Sequence, residues 1–185
     1  MVALKEIREM KIASRKRIPK NGWIHSHLTD QFFKGSWKFT RDSYGISGDA
    51  EMPQVVINSA GPTAGCINGD YCTIGYYYDD AKTVVIYPYR IAYLKNISLS
   101  RPLSDKESRK LLAEIKVALF HEFLHYIHTR LDLIPFGYSH AVMFSDQRKV
   151  KKVFCQIADE YKVDPKPILD DEIKYLKKVA LNSSR

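Results

Sequence analysis

The sequence predicts an α+β domain, on three observations. Short runs rich in β-branched and aromatic residues crowd residues 36–90; one long helix-periodic segment follows over 104–131; further helical patterns continue to 181. Strands first and helices after suggest a small antiparallel or mixed sheet packed on a long central helix. At 185 residues the chain suits one domain with its own core, spanning residues 1–185.

The elements are read in chain order. Residues 3–17 have the pattern of an amphipathic helix, ended by "IPKNG", within a basic segment over 1–20. Strands are predicted at "SWKFTR" (36–41), "PQVVINS" (53–59), "TIGYYY" (73–78) and "KTVVIYP" (82–88), the last two forming a hairpin around "DDA". "AGPTAGCINGDY" is Gly-rich and irregular, hence a loop. Ser104 with Glu107 three residues on forms a capping box that opens the long helix. Leu111, Leu112, Ile115, Leu119, Phe123, Ile127 and Leu131 recur at helical spacing, so one face belongs to the core. Pro135 and Gly137 break the pattern, and two more helices are expected at 141–162 and 168–181, separated by "VDPKP".

Composition narrows the function. Hydrophobic residues at 45% and charged residues at 27% suit a soluble globular protein, and no apolar run is long enough for a membrane span. The N-terminus lacks the apolar core of a secretion signal, so the expected location is intracellular, in the cytoplasm or on DNA. In that setting Cys66, Cys72 and Cys155 are expected as free thiols, with a local Cys66–Cys72 bridge as the alternative. The net charge of +8 is concentrated at the two ends: residues 1–20 carry seven Lys/Arg against two Glu, and residues 145–185 carry ten against seven acids. Such ends suit a polyanionic partner or a solvated basic surface. The clusters to test are Arg15, Lys16 and Arg17, and Arg148, Lys149, Lys151 and Lys152. Trp23, Trp37, Phe39 and Tyr76 to Tyr78 could stack on exposed bases, although strand core is the plainer reading.

The chemistry is carried by "LFHEFLHYIHTRL". His121 and His125 are four residues apart, so on a helix they share one face and reach one Zn²⁺ at about 2.0–2.1 Å. Glu122, one residue round, is placed to take a proton from the attacking water rather than to ligate. A catalytic zinc takes three protein ligands and leaves a fourth position for water. His128 lies on nearly the same helical face, a poor arrangement for a tetrahedron, and Asp132 is a weak candidate. Glu160 on a later helix is the alternative ligand. His140 is favoured: the helix runs roughly 9 Å beyond His125 before it ends. The segment 132–140 spans on the order of 30 Å when extended, enough to return. Tyr138, two residues earlier, could steady an oxyanion or simply pack. The strand residues 83–87 are a candidate edge for pairing with a substrate backbone, and His25 and His27 are expected in a loop with no metal role.

"HEFLH" followed by "HAVMF" resembles the SprT-like (Spartan) zinc metallopeptidase family over roughly residues 60–146. The resemblance implies a zincin-like fold reduced to its catalytic domain, with His121, His125 and His140 as ligands of one catalytic Zn²⁺, Glu122 as general base and Phe144 as an apolar anchor under the third ligand. It further implies an endopeptidase acting on proteins held on or crosslinked to DNA, switched on by single-stranded or unpaired DNA. Ala141 stands where the family carries glycine, and no C-terminal cysteine ribbon is present. Two alternatives stay open: a DNA-independent zinc peptidase that processes a specific protein, and a non-catalytic DNA-binding or structural protein on the same fold.

Overall fold

The computed structural model describes residues 22–46, 50–68, 72–132, 134 and 138–183. The segment 1–20, with Arg15, Lys16 and Arg17, lies outside the described residues, as do Pro135 and Gly137. Helices α1 (Gly22–His27) and α2 (Asp30–Tyr44) come first, followed by strand β1 (Gln54–Ile57) and a short helix α3 (Ala64–Asn68). Strands β2 (Gly75–Tyr78) and β3 (Thr83–Ile86) lead into α4 (Pro88–Leu94) and the long α5 (Asp105–Tyr126). A π-helical turn (Ile127–Leu131) ends α5, and α6 (Ser139–Ser145), α7 (Gln147–Tyr161) and α8 (Pro165–Ser183) complete the described chain. The architecture is α+β with a small mixed sheet, as expected.

The capping box forms at the start of α5. Ser104 Oγ accepts from the Glu107 N–H, and the Glu107 carboxylate accepts from the Ser104 N–H at 2.9 Å. The helix then enters the core on all sides, with every residue from Ala113 to Tyr126 buried. A helix enclosed this way is not amphipathic over its second half, so its polar residues there need a specific reason to be inside. At its end the hydrogen bonds lengthen to i→i+5, as in the Asp132 N–H to Ile127 C=O bond of 3.1 Å.

The sheet has the order β1-β3-β2, with β1 parallel and β2 antiparallel to β3. Tyr77, Val84 and Ile86 are almost fully buried in the core shared with α5. β3 is therefore the central strand, bonded on both edges, and residues 83–87 have no free edge for a substrate. That expectation is corrected: among the described residues the outer strand near the site is β2.

The predicted strand at 36–41 is helix. Trp and Phe alternating with Lys imitate a half-buried strand, but Phe33, Ser36, Trp37 and Thr40 are the buried residues, at helical spacing. Thr29 caps the start through Phe32 N–H, and Gly45, with φ of +69°, ends the helix in the left-handed conformation. Trp37 packs edge-on against Phe123 and Tyr126 of α5, at 5.3 and 5.6 Å between ring centroids. The strand-rich region thus begins at β1, not at residue 36. The helix expected over 141–162 is two helices meeting at Asp146, and the last helix begins at Pro165, a residue tolerated in a first turn.

Cys66 and Cys72 form a disulfide, which corrects the expectation of free thiols; Cys155 is free. Helix α3 lies within the stretch read as irregular and carries Cys66, whose Cα is 4.5 Å from that of Cys72, inside bridging range. No helix among the described residues is long and apolar enough to cross a membrane.

Candidate metal centre

His121 and His125 project one turn apart from the buried half of α5, and His140 enters from the first turn of α6. Their Nε2 atoms form a near-equilateral triangle: 3.2 Å between His121 and His125, 3.2 Å between His121 and His140, and 3.1 Å between His125 and His140. These three residues are close enough to bind one metal ion. Three ring nitrogens in mutual contact have no satisfactory proton arrangement, because each pair needs a donor and an acceptor while each Nε2 can be only one of them. A cation at the centre of the triangle resolves this, since all three can then present lone pairs.

The protonation pattern is consistent with such a role. Burial, together with the neighbouring His121 and His140, holds His125 well below its ordinary value. Burial and His121 lower His140 to about 4. His121 is the exception: burial pulls it down, but the charge and hydrogen bond of Glu172 outweigh that and raise it. His121 Nδ1 donates to Glu172 Oε1 at 2.6 Å, which leaves the Nε2 lone pair facing the triangle. A carboxylate behind a ligating imidazole fixes its tautomer and ring plane.

Glu172 comes from α8, and its role was not anticipated. Its signal lay in the periodicity: Ile168, Glu172, Tyr175 and Leu176 fall on one helical stripe, and an acid within an apolar stripe marks a buried partner. Tyr175 packs against both His121 and His140, each at 5.7 Å between ring centroids. Thus α8 closes one side of the site. His128 does not join the triangle. It is buried after the π-turn begins, and its Nδ1 lies 2.8 Å from Ser139 Oγ, which pins the start of α6 beside His140.

Glu122 is 7% exposed and faces β2. The backbone N–H of Tyr77 reaches its carboxylate, and burial pushes the carboxyl up to about 7 against the downward pull of His121. Gly75 is required here for space. A Cβ on residue 75 would lie 2.8 Å from Glu122 Oε1 and 2.9 Å from its Cγ, closer than non-bonded atoms tolerate.

Glu160 is not at the site. Its carboxylate binds Lys116 at 2.8 and 2.5 Å, and Lys116 lies about 140° round α5 from His121 at 100° per residue. Tyr138 precedes α6 and is 61% exposed. His25 and His27 lie on α1 rather than in a loop, and His27 Nδ1 is 2.9 Å from the Trp23 carbonyl. Arg148, Lys149, Lys151 and Lys152 all lie on the solvent side of α7, whose other face buries Val150, Val153, Phe154 and Ile157. Lys149 Nζ sits 3.9 Å above the Tyr44 ring. Trp37 is core and unavailable for base stacking, whereas Tyr76 is 42% exposed and leans against Tyr78. Phe144 is partly buried against the core beneath α6.

No family model, no curated protein and no solved structure matches this chain.

Proposed function

We propose that this protein is a zinc-dependent endopeptidase on a zincin-like fold, of the SprT-like type, acting on proteins bound or crosslinked to DNA. The observation that carries the proposal is the triangle of Nε2 atoms with a buried carboxylate beside it. A tetrahedral zinc with bonds of about 2.0–2.1 Å sets its ligand atoms roughly 3.3–3.4 Å apart. The observed separations of 3.1–3.2 Å need only a small expansion to meet that. All-imidazole donors also suit zinc better than calcium or magnesium, which prefer oxygen. Zinc bound there would supply a Lewis acid that activates water and polarises a carbonyl oxygen.

The chain's own residues account for the rest. Glu122 is a base held beside the ligands without a metal-ligating role, and a structural zinc site has no use for one. It would accept the proton of the attacking water and return it to the leaving amide nitrogen. The Tyr77 N–H aims the carboxylate and Gly75 gives it room. Along β2, the Ile74 carbonyl accepts from Tyr87 N–H at 3.0 Å. Backbone groups alternate along a strand, so those of Gly75 point to the outer edge of β2, beside the Tyr77 N–H that Glu122 holds. An extended substrate could pair with that edge.

Replacing Gly75 by Ala tests this arrangement. Gly75→Ala is expected to lower kcat about 100-fold, the usual cost of displacing a catalytic group by about 1 Å. Zinc content should stay at the wild-type value while the melting temperature falls by a few degrees, the cost of overpacking beside a buried side chain; wild-type turnover in this variant would mean that Glu122 does not act from its position against β2.

The DNA element of the proposal is supported by the four exposed cations of α7. Cleavage of a test protein should be measured with zinc, with and without single-stranded DNA, and at rising salt. The expected result is cleavage that needs DNA and weakens with salt, because phosphate contacts release counterions. Reversing charge at Lys151 and Lys152 should reduce the stimulation. Equal cleavage without DNA would instead identify a DNA-independent peptidase.

A further inference from the structure

A cavity of about 350 Å³ opens beside His121 and Glu122, and the chemistry of its walls identifies what would enter it. Its volume is at the small end of ligand pockets, which run from about 300 to 1,000 Å³, and suits one large side chain. Ile91 and Leu94 of α4, Val117 and Ala118 of α5, and Ile168 of α8 supply the apolar wall.

The charged groups in the wall are already engaged with one another. Lys95 Nζ lies 2.9 Å from Glu114 Oε1 and 2.9 Å from Asp171 Oδ2. Glu172 is held by His121. Glu122 is the one wall carboxylate outside these pairs and is taken up by the reaction, and Lys95 is not free to clamp an acid. What the cavity offers a visitor is hydrophobic surface.

We propose that this cavity is the specificity pocket of the site, and that it accepts a bulky apolar side chain from an extended, locally unfolded protein segment. The proposal rests on the peptidase reading, because Glu122 lines the cavity and the outer strand β2 begins at Gly75 on its rim. Folded proteins bury leucine, methionine and phenylalanine. A segment able to insert one of them beside the scissile bond must therefore be unfolded locally, which also frees its backbone to pair with β2.

The test uses the zinc-loaded full chain and a set of labelled peptides that differ only at the residues flanking the cleaved bond. At one flanking position Leu, Met or Phe is expected to exceed Ala, Lys and Asp by about 10-fold or more in kcat/KM. Ala118→Leu, which fills the cavity, should lower the Phe-to-Ala ratio by a similar factor. Leu94→Asp, at a position 42% exposed and hence dispensable to folding, should lower the Phe-to-Lys ratio. Flat preferences, or preference for a charged residue, with cleavage still dependent on Glu122, overturn the pocket and leave the peptidase standing. If no peptide is cleaved, the peptidase reading falls, and binding of the same Phe and Ala peptides by anisotropy decides the pocket. Tighter binding of Phe, lost in Ala118→Leu, upholds it, and equal binding overturns it.

Discussion

Glu122→Gln is expected to reduce peptide hydrolysis by about 10²- to 10⁴-fold, the contribution of a positioned general base. Glutamine is nearly isosteric with glutamate and keeps an oxygen that can accept from the Tyr77 N–H, so it should sit in the same place against Gly75. It removes only the capacity to take a proton. Zinc stoichiometry should be unchanged, and melting temperature should not fall, because an ionisable group 7% exposed has been replaced by a neutral one. Turnover, bound zinc and melting temperature measured on one preparation check this. A variant that keeps wild-type turnover would remove Glu122 from the mechanism and leave a metal site of another use.

The second large effect is on the metal. His140→Ala removes the only corner of the triangle that α5 does not supply, and zinc affinity should fall by more than 100-fold. Glu172→Ala leaves all three ligands and loosens only the orientation of His121, so its affinity should fall by the smaller factor of about 10–100 that outer partners contribute. Competition titrations against a zinc-responsive dye would rank the two, and the opposite order would mean that His140 is not a ligand. Binding also links α5 to α6 directly and to α8 through Glu172. Zinc at about 1,000 times its dissociation constant stabilises a protein that binds it only when folded by about 4 kcal/mol. For a chain of this size that raises the melting temperature by roughly 8–16 °C. In His140→Ala at the same zinc concentration no more than about 10 mutant dissociation constants remain, so the increment should shrink to about 1.4 kcal/mol or less, roughly 3–6 °C at most.

What could be read from residue order was local. The capping box at Ser104 and Glu107, the single face shared by His121 and His125, and the hairpin of β2 and β3 all depend on separations of a few residues, where chain geometry leaves little choice. His140 was within reach of the same reasoning because a fifteen-residue separation still limits where the chain can go. Residues 36–41 defeated it. Their alternation of Trp, Lys and Phe satisfies a strand over six residues, and the helical period emerges only across the longer window from Phe33 to Thr40. Trp37 is then held in the helix by its contacts with Phe123 and Tyr126.

The sequence by itself determined which residues could meet a metal, which helix carries them and where that helix begins. Only the tertiary structure decided what surrounds them. It moved the outer strand near the site from β3 to β2, because strand order depends on which strand lies between two others rather than on any property of the strand's own residues. It joined Cys66 to Cys72. It also brought Glu172 to His121 across 51 positions of chain, and Gly75 against Glu122 across 47. At those separations the sequence places almost no limit on which residues meet; packing of α8 and β2 against α5 chooses the partners, and with them the orientation of the site.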